Sequence, residues 1–159
     1  MNNEVTVIGD IFAEFDGIDL RNSADIDVFG NITAGSNAVR VSDDSTITIR
    51  STAVLTTESF SVAGGNNNVI NINGGATLSD GLGFFDDNNI TVLANATLGD
   101  TITLRDNNEL NFDGQTINES GNAIQVDNGN TIIIGENADI TSLDGDVLRA
   151  DDNLSLIHI

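Results

Sequence analysis

The sequence predicts an all-β fold, a right-handed parallel β-helix (β-solenoid) of about seven coils of 20–23 residues with three short strands per coil. Three observations predict it. A unit recurs every 20–23 residues, apolar and polar residues alternate with a period of two inside each unit, and turns rich in Asn, Asp and Gly separate the alternating runs. A period of two places every second side chain on one face of an extended strand.

The first two strands of the unit are clearest in residues 88–100, NNITVLANATLGD. Ile90 and Val92 face inward on the first strand, and Ala96 and Leu98 face inward on the second. The first inward position recurs, in steps of 21, 21, 23, 20, 20, 22 and 22 residues, at Val5, Ile26, Ile47, Ile70, Ile90, Leu110, Ile132 and weakly at Leu154. On the second strand the inward positions are small and then large: Ala53, Ala76, Ala96 and Ala138, followed by Leu55, Leu78 and Leu98.

A third strand lies between one copy of this pair and the next. Its inward pairs are Ile18 and Leu20, Val39 and Val41, Phe60 and Val62, Leu82 and Phe84, Ile102 and Leu104, and Ile124 and Val126. Three strands per coil, each paired in parallel with its equivalents about 4.8 Å away, define a parallel β-helix. Left-handed hexapeptide helices use about 18 residues per coil, so the longer coils favour the right-handed form. The five phenylalanines Phe29, Phe60, Phe84, Phe85 and Phe112 are expected to pack in or beside the core rather than bind a ligand.

The turns between the strands carry columns of asparagine. One column precedes the first strand at Asn3, Ala24, Ser45, Asn68, Asn88, Asn108 and Asn130, and another follows it at Asn31, Asn95 and Asn137. Because Asn tolerates left-handed backbone and forms local hydrogen bonds, we expect a structural role at the solenoid corners. Residues 64–68 lengthen one turn, and the second strand at residues 113–117 is one residue short.

Composition excludes several classes of partner. There are 25 acidic residues against five arginines, no lysine and no cysteine, and the formal net charge is -20. Such a chain has no basic patch for nucleic acid or an anionic membrane, and its natural small partners are cations. No segment is long and apolar enough to insert in a membrane.

An acidic row is the candidate metal site. Two positions past the third strand stand Asn22, Asp43, Gly64, Asp86, Asp106, Asn128 and Asp152. Carboxylates about 5 Å apart repel by about 0.8 kcal/mol in water and about 3 kcal/mol at an effective dielectric of 20, and a hard cation between coils would relieve this repulsion. Oxygen ligands suit Ca²⁺, so Asp43, Asp86, Asp106 and Asp152 are the predicted metal ligands. The alternative is a solvated acidic edge that prevents lateral aggregation.

The last six residues differ in character from the rest. Residues 154–159, LSLIHI, can be encoded by CTG TCT CTT ATA CAC ATC, which resembles the mosaic-end adapter of transposase-based sequencing libraries. We therefore expect residues 1–153 to form a single β-solenoid domain, a fragment of a longer array from an environmental sequence, and 154–159 to be a non-native tail. The alternative is a genuine last strand containing Leu154 and Leu156. The only histidine, His158, is assigned no chemistry.

The phrases DDSTITI at residues 43–49 and DNNITV at 87–92 resemble coils of large secreted bacterial surface and haemolysin-type calcium-binding proteins, including autotransporter-like adhesins. The resemblance implies a structural or adhesive segment of a secreted or cell-surface protein. The calcium-binding nonapeptide Gly-Gly-x-Gly-x-Asp of that group is missing, because residues 64–68 read GGNNN.

Two other functions were weighed. A polysaccharide-binding or polysaccharide-degrading β-helix is the first alternative, with a surface glycan as partner. Catalysis is not expected, because Lys, Trp and Tyr are absent and the arginines, Arg21, Arg40, Arg50, Arg105 and Arg149, lie on separate coils. An ice-binding face is the second: the outer column of the first strand has Thr6, Thr48 and Thr91, interrupted by Asp27, Asn71, Asn111 and Ile133.

Uncapped terminal coils also predict head-to-tail self-association.

Overall fold

The computed structural model describes residues 3–21 and 23–158, and this part of the chain forms a parallel β-solenoid of about seven coils. Strands are numbered along the chain. The first sheet contains β1 (Asn3–Val7), β4 (Ala24–Val28), β7 (Thr46–Ile49), β10 (Val69–Ile72), β13 (Asn89–Val92), β16 (Glu109–Phe112), β19 (Thr131–Ile134) and β22 (Ser155–His158). The second contains β2 (Ile11–Ala13), β5 (Ile32–Ala34), β8 (Val54–Thr56), β11 (Thr77–Leu78), β14 (Thr97–Leu98), β17 (Gln115–Asn118) and β20 (Asp139–Ser142). The third contains β3 (Ile18–Leu20), β6 (Val39–Val41), β9 (Val62–Gly64), β12 (Leu82–Phe84), β15 (Ile102–Leu104), β18 (Ile124–Val126) and β21 (Leu148–Ala150).

The register of the first sheet confirms the repeat. Ile90 pairs with Ile70 on one side and Leu110 on the other, and the column continues without a slip from Val5 to Ile132. A one-residue slip would turn every inward side chain to solvent, so a buried apolar face fixes the register. The prediction of three parallel sheets around one core is therefore confirmed.

The last member of this column was predicted incorrectly. Ile132 pairs with Leu156, not with Leu154. The extra length lies in the corner between β19 and β20, where residues 135–138 stand opposite only residues 113–114 of the preceding coil. The corner before β22 has the same length as its neighbour, since Val126 pairs with Ala150 and Thr131 with Ser155. Residues 155–158 thus continue the first sheet, with Leu156 54% exposed.

The third strand of one coil was also misplaced. Phe60 and Val62 were the predicted inward pair, whereas β9 places Val62 beside Leu82 and Gly64 beside Phe84. A Cβ on Gly64 would lie 2.7 Å from a ring carbon of Phe84. The Phe84 ring therefore fills the interior that a larger side chain at Gly64 would occupy, and Phe60 lies outside the strand.

Side chains from all three sheets fill one continuous core. The predicted Ala–Leu alternation of the second strand is confirmed, since the residues at 53, 55, 76, 78, 96 and 98 are all buried. Phe84 and Phe112 are buried as predicted, but Phe29 is 43% and Phe85 49% exposed. Both exposed rings follow the last residue of a strand, where the chain turns at the corner and directs them outward.

The irregularity near residue 114 lies in a corner and not in a strand. Phe112 pairs with Val92, and Thr116 pairs with Leu98. The corner between β16 and β17 is therefore two residues shorter than the corner between β13 and β14, whereas β17 itself has four residues. A Cβ on Gly114 would lie 2.8 Å from Val92 Cγ1. Only glycine permits this close approach of the shortened corner to the neighbouring coil.

Candidate functional site

A column of buried polar side chains lies at the corner between the third and first strands. Ser45, Asn68, Asn88, Asn108 and Asn130 are all buried there. Each backbone N–H in the column, up to that of Asn108, donates to the side-chain Oδ1 of the next coil at 2.8 Å. The amide nitrogens of the side chains donate to backbone carbonyls, for example Asn108 Nδ2 to Phe85 O at 2.7 Å. We call this column the inner ladder.

The inner ladder confirms a structural role for asparagine but by a different mechanism from the predicted one. The left-handed residue comes one position earlier, at Asp44, Asn67, Asp87, Asn107, Gly129 and Asn153, with φ between 56° and 69°. At the other predicted corner column, Asn95 is left-handed with φ 67°, whereas Asn31 and Asn137 donate hydrogen bonds to Asp10 and Asp113 of the preceding coil. The buried asparagines therefore link coils, and their neighbours make the turn.

The acidic row forms a second column, which we call the outer ladder. Its members are Asp43, Asn66, Asp86, Asp106, Asn128 and Asp152, and Asn66 stands where Gly64 was predicted because of the shift of β9. Each side-chain Oδ1 accepts the backbone N–H of the next member, at distances of 2.6, 3.0, 3.2, 2.9 and 3.3 Å along the column. The outer ladder therefore points in the opposite direction from the inner one. Asn22, the first predicted member, lies outside the described residues.

The four predicted calcium ligands belong to the outer ladder, but they are not all neighbours in it. They lie in one column as predicted, but Asn66 separates Asp43 from Asp86, and Asn128 separates Asp106 from Asp152. Only Asp86 and Asp106 are on neighbouring coils. Within residues 3–21 and 23–158 there is no group of three or more acidic, His or Cys side chains placed to hold a metal ion. The calcium site stays a prediction.

A groove with a volume of about 680 Å³ lies on the outer face of the third sheet. The middle residues of four successive strands there are Arg40, Ala63, Gly83 and Thr103. Two small residues in succession leave a depression between two longer side chains. A Cβ on Gly83 would lie 2.9 Å from the Phe60 ring, so this ring packs directly over the glycine.

Two arginines are stacked on aromatic rings, and among the described residues only Arg50 has a carboxylate partner. The Arg50 guanidinium lies 5.2 Å from the centre of the Phe29 ring, and its Nη2 also donates to Asp27 at 2.6 Å. The Arg105 guanidinium lies 4.3 Å from the centre of the Phe85 ring, and both residues line the groove. Among the described residues, no carboxylate lies within 4.0 Å of the Arg105 guanidinium.

The arginines lie on separate coils as predicted, but sequence reasoning missed that four of them lie in, or directly after, strands of the third sheet. Arg40 and Arg149 are the middle residues of β6 and β21, and Arg21 and Arg105 each directly follow a strand of the third sheet. Arg40 is paired with Asp16 at 3.4 Å and Asp19 at 3.5 Å. The sequence did contain a signal for this arrangement. Each of the four arginines occupies the middle of the third strand of its repeat or the position directly after that strand.

The outer column of the first sheet matches the sequence interpretation. Its members in order are Thr6, Asp27, Thr48, Asn71, Thr91, Asn111 and Ile133. Threonine thus alternates with other residue types, and the column is not a uniform threonine face.

The comparisons with known proteins assign no family. No protein-family model, curated protein or solved structure matches the chain. In the part of the chain that the structure describes, no helix has the length and apolar character needed to cross a membrane. What is established is the fold, a β-solenoid of about seven coils.

Proposed function

We propose that the chain is a structural, adhesive segment of a secreted or cell-surface bacterial protein. The observation that carries this proposal is the pair of oppositely directed ladders, which join each coil to the next through main-chain N–H groups. Nearest-neighbour contacts of this kind stabilise a rod whose length grows by adding coils. Such a rod holds its outer side chains at fixed spacing, as a surface scaffold must.

The groove on the third sheet supplies the adhesive part of the proposal. It combines aromatic rings, from Phe60 and Phe85, with the guanidinium groups of Arg40 and Arg105. Concave sites with apolar walls and a few polar groups are the usual places where proteins bind small ligands or portions of larger ones. A surface glycan is the proposed ligand class, because a sugar ring offers apolar C–H faces to the rings and hydroxyl groups to the polar side chains.

The proposal assigns no catalytic step to the groove. Among the described residues that line it, Asp43 is the only carboxylate, and its Oδ1 accepts the Asn66 N–H at 2.6 Å. Glycoside hydrolysis in most enzymes requires two carboxylates that flank the scissile bond. A binding role therefore accounts for the groove better than polysaccharide degradation does.

Beads coated with the chain would test adhesion under flow over surfaces that carry neutral or acidic polysaccharides. We expect retention above that on the bare surface for at least one polysaccharide, whereas retention equal to the bare surface on all of them would refute the adhesive role. Location requires a separate measurement. Antibodies against the chain should label intact cells that carry the gene, and labelling only after permeabilisation would refute a surface location.

A further inference from the structure

We propose that the groove recognises glycans with isolated carboxylates, through a salt bridge between the Arg105 guanidinium and the carboxylate of one sugar ring. This inference rests on the proposed adhesive function and names its ligand class. In it, Phe85 is a positioning residue that holds Arg105, and the ring of the bound sugar lies against Ala63 and the Phe60 ring, which covers Gly83.

The charge of Arg105 is the feature of the groove that selects a carboxylate. Of the two arginines stacked on aromatic rings, Arg50 already has Asp27 as its ionic partner, and Arg105 has none among the described residues. A guanidinium presents donors in a fixed planar fork that matches a carboxylate, and bonds between ionised groups are stronger than neutral ones. Stacking on Phe85 fixes the orientation of the Arg105 guanidinium before a ligand arrives, which lowers the entropy lost on binding.

The remaining charges limit how acidic the ligand can be. The chain has a formal net charge of -20, and Asp86 and Asp106 of the outer ladder directly follow Phe85 and Arg105 in sequence. A dense polyanion meets long-range repulsion from this field. A single carboxylate placed on Arg105 gains the local attraction and presents little charge to the rest of the surface.

The shape of the groove favours a saccharide over a peptide strand. From Arg40 on β6 to Thr103 on β15 it crosses three coil spacings, about 14 Å at about 4.8 Å each, which accommodates a disaccharide. An extended peptide gains affinity mainly by pairing with a free strand edge. Here β9 and β12 are each paired on both sides, so the groove has no free edge to offer.

The experiment uses two disaccharides that differ in one group. Cellobiouronic acid and cellobiose are titrated into the full chain, and binding is followed by NMR chemical shifts. We expect the acid to bind about tenfold more tightly than cellobiose, and Arg105→Gln to reduce the affinity for the acid by the same factor, to that of cellobiose. Arg149→Gln is the matched control, because it removes the same charge from the same sheet outside the groove, and it should leave the affinity unchanged.

Other arms separate this inference from its alternatives. Ala63→Leu fills the floor from the outer face and should abolish binding while circular dichroism and the melting temperature remain close to those of the parent chain. Dextran sulfate should bind more weakly than the monoacid. Equal affinity for the two disaccharides, equal losses in Arg105→Gln and Arg149→Gln, or tighter binding of dextran sulfate would overturn the proposal. Bead retention that is independent of carboxylates overturns this inference alone, whereas no retention on any surface overturns the adhesive function as well.

Discussion

Replacing Asn108 by Ala tests whether the inner ladder holds the coils together. Asn108 is 1% exposed, and its Oδ1 accepts both the backbone N–H and the side-chain Nδ2 of Asn88, at 2.8 and 2.9 Å. Its own Nδ2 donates to Phe85 O at 2.7 Å. The change leaves the Asn88 N–H and the Phe85 carbonyl without a partner, whereas Asn88 Nδ2 keeps Gly65 O and Asp86 O as acceptors. Each buried group left without a partner costs about 1–3 kcal/mol, so the chain should be destabilised by about 2–6 kcal/mol.

Urea denaturation followed by far-ultraviolet circular dichroism measures this loss, since the chain contains no Trp or Tyr for fluorescence. Asn111→Ala is the matched control: the Asn111 side chain projects from the outer face of the same coil, and its effect should stay within about 0.5 kcal/mol. Asn108→Ser should fall between them, because Ser45 occupies the same column and its hydroxyl accepts the Ala24 N–H at 3.1 Å. If Asn108→Ala were as mild as Asn111→Ala, the ladder would contribute nothing to stability.

Three further predictions follow from burial and charge. Ile90→Asp should destabilise the solenoid by several kcal/mol, because Ile90 is fully buried, whereas Thr91→Asp, on the outer side of the same strand, should be mild; equal effects in urea melts would contradict the inward assignment. Burial alone would raise the pKa of Asp16, but hydrogen bonds from the backbone and side chain of Asn37 keep it below its usual value. The carboxylate therefore contributes stability above the unfolded-state pKa of about 3.9, and this contribution is lost as the pH falls through the lower folded-state pKa. The free energy of unfolding should fall more steeply below about pH 4 in the parent chain than in Asp16→Asn, and parallel curves would refute this. Calcium at millimolar concentration should raise the melting temperature at fixed ionic strength, and Asp86→Asn should remove the increase while preserving the outer ladder, since Asn already serves at two of its positions. Melting curves that are identical with calcium and with chelator would leave the row a solvated edge.

The repeat and its inward columns could be predicted from the sequence because burial imposes the same period on every coil. From Val5 to Ile132 the first strand depends on one local rule, which is alternation next to an Asn-rich turn. The error at β9 has a non-local cause. Gly64 faces the core, and only the Phe84 ring from the next coil explains why a glycine suffices there.

The ladders were predictable as columns but not as hydrogen-bond networks. A turn of Asp or Asn, a left-handed residue and then Asn recurs at residues 66–68, 86–88 and 106–108, and it identifies the corner. The first side chain of this turn lies outside and accepts an N–H from the following coil, as Asn66 does from Asp86. The third side chain lies inside and accepts an N–H from the preceding coil, as Asn88 does from Asn68. Sequence spacing alone does not give that direction, and it left the aspartates open to interpretation as metal ligands.

The misplacement of a single strand also concealed the groove. With Phe60 and Val62 as the inward pair, the outward residue of that coil would be Ser61, and Phe60 would belong to the core. With β9 at 62–64, Ala63 is the outward residue, and Phe60 lies on the surface over Gly83. The groove exists because the outward residues of two adjacent coils, Ala63 and Gly83, are small. Two small residues in succession are recognised only when the outer columns are aligned. Outer positions contribute nothing to the apolar period from which the alignment was made, so the candidate binding surface depends on residues that the repeat constrains least.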